Sequence, residues 1–427
     1  MNTEQIYTLL QEKNLSISID TRTIKNDSVY IGIKGDTFDG NSFAEQAFAN
    51  GAQYVILDNA AYCNNENCIL VPDTKKFLSE IAYLYRKSFS IPVICIGGSN
   101  GKTTTKELVA QVLQTQYNIH VTKGNLNNDI GVPLTILAMP KDTEIAVIEI
   151  GANHPLEHTE LLHIIEPTHI LVTNNGADHL EGFGSIEGAR YANKEIYDWA
   201  QHNPCTVFVN KNITDLVTDS EHTNRILYPI LEVHSNSKLF AGLIYNNTSI
   251  QSTLFGSYNE PNILAAIAIG EFFSISLENI KNAIENYIPN LKRSQIVHQD
   301  TTTFAIDCYN ANPTSMELAL IDFFTQSPQG KRIIIIGDML EIGEQENMMH
   351  KHILDIVQKY TIAGDTILCV GPRFFIHKNE FPYIFFETSQ HAQEYFDQLD
   401  IENNYVFLKA SRGIKLETVI KNKVPLS

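Results

Sequence analysis

The sequence predicts an α/β fold in three units, and three observations carry that reading. The first is length: 427 residues correspond to two to four domains at roughly 100–200 residues each. The second is a change of pattern near residues 88 and 292. The third is that, from Ile91 onward, short apolar runs alternate with amphipathic helical stretches. Buried parallel strands joined by crossover helices leave that pattern.

Residues 1–88 read as a helix, short strands around "VYIGI", a helix from Ser42 to Asn50, the strand "AQYVILD" and a closing helix in "TKKFLSEIAYLYRKSF". That is a small α/β unit. Residues 89–292 carry the strand runs "PVICIGG", "IAVIEIGA", "HILVTNNG" and "CTVFVN", as expected of a mostly parallel sheet. Residues 293–427 resume the alternation with "TTTFAIDCYNANP", "KRIIIIGDM", "DTILCVG" and "NNYVFLKASR". No fixed-period repeat and no low-complexity tract appears, which argues against a solenoid or a long polar tail.

Composition narrows the function. Hydrophobic residues make up 43% and charged ones 19%, which is globular rather than disordered. The formal charge of −18, from 31 Lys+Arg against 49 Asp+Glu, argues against a surface that neutralises nucleic-acid phosphates. Any bound anion must be gripped by a local site. The six cysteines are scattered without zinc or redox spacing, and Cys95 and Cys369 lie in apolar runs that read as core. The N-terminus lacks a basic start and an apolar leader, and no apolar run approaches about 18 residues. A soluble, reducing, cytoplasmic setting is expected.

The most informative stretch is "IGGSNGKTTTK". The strand "PVICIGG" feeds it, and Leu108, Val109, Val112 and Leu113 follow at helical spacing, so it lies between a strand and a helix N-terminus. Unpaired backbone N–H groups and the helix dipole favour phosphate oxygens there. Gly98 and Gly101 allow close backbone approach, with Ser99, Asn100 and Thr104 completing the loop. Lys102 offers a point charge, and the Thr103 hydroxyl can ligate magnesium. Strict phosphate-loop spacing would put the first glycine at Ile96, so a variant loop is required. A solvent-exposed turn with a helix cap is the plainer alternative.

Other polar residues stand where strands end. Glu149 closes "IAVIE", a costly place for a carboxylate unless it is paired or bound to metal. Asn174, Asp178 and His179 follow "HILVT", and carboxyl ends of strands form the ligand crevice of open α/β sheets. Thr103, Glu149 and His179 thus make a candidate magnesium set, although an ordinary loop histidine accounts equally well for His179. Asn259 and Asn262 open an apolar helix, where capping is the simpler role. Asp307 ends a strand and Asn310 begins a turn; either could reach a ribose or a base.

Taken in order, "GGSNGKTTTK", "GNLNNDIGVPLTIL", "IEIGANHP", "TNNGADHLEGFGS", "DCYNANPTSME", "GDMLEIGE" and "LKASRG" resemble the ATP-dependent Mur ligases over nearly the whole chain. "DTRTIKNDSVYIGIKGDTFDGNSFAEQAFANGAQYVI" is similar to the N-terminal domain of the members that act on UDP-N-acetylmuramoyl-tripeptide and D-alanyl-D-alanine. The resemblance implies a UDP-sugar-binding domain at 1–88, a central ATP-binding domain at 89–292 and a Rossmann-like domain at 293–427. It implies an enzyme that forms a peptide bond through an acyl phosphate, using ATP and Mg2+; a monomer is expected. Lys102, Glu149 and His179 would be catalytic. Asn262 would contact adenine, Asp307 ribose and Arg293 a phosphate, while Arg22, Lys34, Asp39 and Gly40 match the UDP-sugar side. Related amide ligases of the Mur or folylpolyglutamate type would share the central domain, and a phosphate-loop ATPase without ligase activity is the alternative from another class.

One position departs from the family pattern. The resemblance implies a carbamoylated lysine fourteen residues after His179, where this chain has Asn193, with Lys194 next to it. One residue turns a helical side chain by about 100°. Asn193 as a neutral stand-in is the expected arrangement. Lys194 brought inward by a bulge, or a second metal held without a carbamate, are the others.

Overall fold

The computed structural model describes residues 2–13, 16–35, 37–177, 180–228, 239–289, 293–327 and 332–424, without the side chains of Leu180 and Ile186. Among these residues, strands form three sheets. The first joins β1 (Ser16–Ser18), β2 (Ser28–Ile31), β3 (Ala52–Leu57) and β4 (Cys68–Leu70), all parallel and in that order. The helices Thr3–Glu12 and Thr74–Arg86 pack on it through Ile6, Leu10, Phe77 and Ile81.

The second sheet contains β5 (Val93–Gly97), β6 (Ile119–Val121), β7 (Ile145–Glu149), β8 (His169–Val172), β9 (Thr206–Asn210) and β10 (Arg225–Tyr228), in the order β10-β9-β8-β5-β7-β6 and parallel throughout. Its runs are apolar on both faces because both faces are covered. Ile94, Ile96 and Val147 point to a core shared with the helices Lys102–Leu113 and Glu260–Phe272. Val93, Cys95 and Ile148 point to the opposite core, which includes Ile196 and Tyr197 of the helix Ile186–His202. Strand alternation puts Glu149 on the same face as Val147, toward the Lys102–Leu113 helix.

The third sheet runs β11 (Phe240–Tyr245), β12 (Thr248–Phe255), β13 (Gln295–Gln299), β14 (Thr302–Asp307), then β18 (Tyr405–Lys409), β15 (Arg332–Gly337), β16 (Thr366–Val370) and β17 (Ile384–Phe386). The hairpin β11–β12 buries Leu243 and Ile250 in the core of the second sheet, yet pairs with β13 through Leu254 and Gln295. The chain between the last two units is therefore stitched to both. From β14 to β17 the strands are parallel, and the register sets Asp307 beside Lys409.

One finding departs from the expected reducing setting: Cys63 and Cys68 form a disulfide, with Cα atoms 5.5 Å apart. The turn closed by Cys68 N–H on the Asn65 carbonyl folds the short segment back on itself, which spacing alone did not reveal. Cys95 and Cys369 are fully buried. No helix among the described residues is long and apolar enough to cross a membrane.

Candidate active site

The phosphate loop leaves β5 at the centre of its sheet, flanked by the ends of β7 and β8. Chain connections diverge to either side at such a point, and the crevice that results is where open α/β sheets bind ligands. Gly98 and Gly101 adopt φ of +114° and +80°, and a Cβ on them would lie 2.3 Å from Thr173 Oγ1 and 2.5 Å from Asn262 Oδ1. Both positions therefore require glycine. The loop is tied to the next strand end: Ser99 N–H donates to the Asn174 carbonyl at 2.9 Å, Asn100 N–H to Asn174 Oδ1 at 3.0 Å, and Thr173 Oγ1 to the Asn100 carbonyl at 2.7 Å. Gly101 caps the helix without a side chain, so the first-turn N–H groups stay available to an anion. The Lys102 ammonium donates to the carbonyls of Gly98 and Ser99.

Thr103 and Glu149 meet beside this loop, both buried. Thr103 Oγ1 donates to Glu149 Oε1 at 3.0 Å, and Asn127 Nδ2 donates to the same oxygen at 2.8 Å. Adjacent ligands of an octahedral magnesium ion with metal–oxygen distances near 2.1 Å stand about 2.9 Å apart, so the pair fits that ion. Among the described residues no three His, Cys, Asp or Glu side chains gather at one point, so hydroxyl and amide groups would have to complete the shell with water.

The opposite wall comes from the third sheet and the segment leading into it. The Lys409 ammonium donates to Asp307 Oδ2 at 2.5 Å, and Ser294 N–H donates to Asp307 Oδ1 at 3.2 Å. Tyr258, whose phenol burial holds well above its ordinary pKa, reaches Asp307 Oδ2 at 3.4 Å. Arg293 stacks on the Tyr309 ring, its guanidinium carbon 3.5 Å from the centroid, while its buried Nε lacks a hydrogen-bond partner. Across the gap, Asn312 Nδ2 donates to Asn100 Oδ1 at 2.8 Å and Ala177 N–H to Thr314 Oγ1 at 3.2 Å.

The two walls enclose a cleft of about 820 Å³. Ser99, Asn100, Gly101, Lys102, Thr103, Thr104, Glu149, Asn262, Arg293 and Asp307 all line it, and Gly98 lies directly behind. Its lining has four Lys or Arg against five Asp or Glu, and twelve asparagines. Positive charge is thus not in excess. A polyphosphate would be gripped by backbone N–H groups and neutral amides with a few placed cations.

His179 and Asp178 lie outside the described residues. Arg22, Lys34, Asp39 and Gly40 are in the first unit and do not line the cleft. There Arg22 pairs with Asp20 at 2.7 Å, Asp39 accepts from Asn41, the backbones of Lys34 and Asp39 pair in an isolated antiparallel β-bridge, and the Gly40 carbonyl accepts from Tyr30 Oη. The capping role for Asn259 and Asn262 is corrected: neither side chain caps the helix. Asn262 instead accepts from Thr105 Oγ1 at 3.1 Å and donates to Asn259, which ties this helix to the phosphate-loop helix. Asn193 is buried and donates to Asn175 Oδ1 at 3.0 Å and Ser99 Oγ at 3.3 Å, whereas Lys194 turns outward to Asp198.

Two further groups were not singled out in the sequence. Lys106 is buried with Nζ 3.5 Å from Glu149 Oε2. Its spacing to Val109 and Leu113 on the buried stripe was the available signal. Glu260 lines the cleft, is 5% exposed and has an Oε1 without a hydrogen-bond partner. Burial, reinforced by the Asp322 charge, pushes its carboxyl up to about 7.

Comparison with known proteins agrees with this geometry. Residues 15–86 match the "Mur ligase family, catalytic domain", 96–270 the "Mur ligase middle domain" and 292–400 the "Mur ligase, glutamate ligase domain". The UDP-N-acetylmuramoyl-tripeptide--D-alanyl-D-alanine ligase of Bacillus subtilis is 33% identical, covering 96% of this chain and 94% of that protein. The MurF crystal structure from Acinetobacter baumannii aligns with a TM-score of 0.86 at 26% identity, over 97% of each chain. MurF from Thermotoga maritima, solved in complex with ADP, has the same fold, with a TM-score of 0.81 at 22% identity over 95% of this chain and 96% of that one.

Proposed function

The chain belongs to the Mur ligase family, and on that premise we propose that it joins D-alanyl-D-alanine to UDP-N-acetylmuramoyl-tripeptide, with ATP cleaved to ADP and phosphate, in peptidoglycan precursor synthesis. The observation that carries this reading is the convergence of Lys102, Thr103 and Glu149 on one wall of a cleft whose other wall bears Arg293, Asp307 and Lys409. A carboxylate is a poor acyl donor. Its oxygen attacks the γ-phosphorus, ADP leaves, and the acyl phosphate is then open to the amine of the dipeptide. A tetrahedral intermediate collapses with loss of phosphate, and the phosphate keeps the oxygen that had belonged to the carboxylate.

Positioning and charge neutralisation dominate such a reaction. Lys102 shifts from the carbonyls of Gly98 and Ser99 to the β- and γ-phosphates, while the N–H groups from Gly101 to Thr104, at the start of the helix, hold the phosphate oxygens. Thr103 and Glu149 would hold a magnesium ion, which would supply positive charge against the phosphates; His179, outside the described residues, would be the residue for a second ion. Asp307 already accepts from Lys409, Ser294 and Tyr258, which leaves room for a ribose hydroxyl among its roughly four acceptor sites. Asn262 meets adenine, and the unpartnered Arg293 Nε meets a phosphate. The contacts of Asn312 and Thr314 with the phosphate-loop side shield the acyl phosphate from water.

In the same reading, residues 1–88 hold the UDP-sugar through Arg22, Lys34, Asp39 and Gly40, 89–292 bind ATP, and 293–427 cover it. Asn193 stands as a neutral group where a carbamoylated lysine was expected. In this reading the enzyme acts as a monomer in the cytoplasm; its formal charge of −18 disfavours nucleic-acid partners, and no helix among the described residues is long and apolar enough to cross a membrane. Phosphate release measured over a panel of UDP-peptides and dipeptides tests this. Release is expected only when both the UDP-tripeptide and D-alanyl-D-alanine are present. Release without an amine acceptor contradicts ligation and leaves a simple ATPase.

A further inference from the structure

Lys106 lies one helical turn beyond Lys102, and its side chain is 2% exposed. Lysine is almost never buried without a partner, because removing an ammonium from water is costly. It does not line the cleft. Its neighbours are two carboxylates: Glu149, with Oε2 at 3.5 Å, and Glu107, with Oε1 at 3.9 Å. Glu107 is itself fixed by the Tyr287 hydroxyl. The Glu149 carboxylate is thereby divided. Oε1 takes the Thr103 hydroxyl and the Asn127 amide, while Oε2 has no hydrogen bond and faces the Lys106 charge.

Resting on the reading of Thr103 and Glu149 as a divalent-cation site, we propose that Lys106 is a positioning residue that blocks Oε2 and so makes the site selective for Mg2+ over Ca2+. A cation approaching Oε2 meets a like charge, so only Oε1, next to Thr103 Oγ1, is open to it. Magnesium takes one carboxylate oxygen per position at about 2.1 Å in a near-ideal octahedron, and the 3.0 Å between the two oxygens suits that geometry. Calcium, with bonds of about 2.3–2.6 Å, needs roughly 3.3–3.7 Å between adjacent oxygens or a carboxylate that binds through both. The buried ammonium denies it the second option.

The test is calorimetric titration of the full chain with ADP at increasing MgCl2 or CaCl2, comparing wild type with Lys106→Met and Lys106→Arg. Wild type is expected to need less Mg2+ than Ca2+ for half-maximal nucleotide binding. Lys106→Met should narrow that ratio about tenfold, the scale on which groups behind a metal ligand act, and Lys106→Arg should restore much of it. A lower melting temperature in Lys106→Met with an unchanged ratio overturns the proposal and leaves Lys106 purely structural. Cation-independent ADP binding in wild type overturns the cation-site reading itself, and the proposal with it. Crystals of wild type with MgADP serve if Lys106→Met does not fold: one Glu149 oxygen on the ion supports the proposal, and two overturn it.

Discussion

Asn312 of the C-terminal unit donates its side-chain amide to Oδ1 of Asn100 in the phosphate loop, 2.8 Å away across 212 positions of sequence. The loop that holds phosphate is thus touched directly by the unit that must cover it. Asn312 also caps its own helix by accepting from Ser315 N–H. Asn312→Ser keeps a capping oxygen and loses the amide Nδ2 that reaches Asn100, which the shorter hydroxyl does not replace. The expected result is a KM for ATP raised about 2- to 10-fold, the scale of one hydrogen bond, with the urea midpoint nearly unchanged. Asn100→Ala should produce a similar rise, and the double variant should add little; full additivity would show the contact to be incidental.

Lys102→Met should lower kcat at least about a hundredfold, as removal of one preorganised charge donor does elsewhere, while the melting curve stays close to wild type. Lys102→Arg should not rescue it, because a planar fork does not replace a compact ammonium in a loop shaped by Gly98 and Gly101. Initial rates with both variants decide the matter, and near-normal turnover in either would remove Lys102 from the phosphate site.

Glu149→Gln should reduce both stability and activity. It leaves the buried Lys106 ammonium without its closest carboxylate, a loss of about 3 kcal/mol in urea unfolding. Unchanged stability would mean that Glu107 alone neutralises Lys106.

Glu260 gives a pH signature. Its folded carboxyl is pushed up to about 7, whereas the unfolded group ionises near the ordinary value of about 4.3. Between these values the unfolded chain releases a proton that the folded chain keeps, so stability is lost as pH rises through that window. Glu260→Gln should therefore match wild type near pH 4 and exceed it by roughly 3–4 kcal/mol at pH 8, as read by urea unfolding at the two pH values. Equal stability at pH 8 would show that the carboxyl titrates normally.

Local features were legible in the sequence, and juxtapositions across units were not. The phosphate loop could be read because strand, glycines and helix are contiguous, and Glu149 because a carboxylate ending an apolar strand needs a reason. Lys106 was hidden: next to three threonines and a glutamate it reads as a solvated helix residue, and only its phase with Val109 and Leu113 turns it inward. Asn262 looked like a cap because its true partner, Thr105, lies 157 residues earlier in the chain. The pairing of Asn312 with Asn100 depends on how β12 and β13 join two units, which no local pattern encodes. Asn193 was identified by counting, and its burial beside Ser99 and Asn175 gives that count a physical meaning.

The most direct measurement uses UDP-tripeptide labelled with oxygen-18 in the reacting carboxylate, incubated with ATP, Mg2+ and D-alanyl-D-alanine. Phosphate recovered from the reaction should carry one labelled oxygen for each amide formed, because the carboxylate oxygen leaves on phosphorus. Unlabelled phosphate released alongside the amide product would contradict an acyl-phosphate route through this cleft.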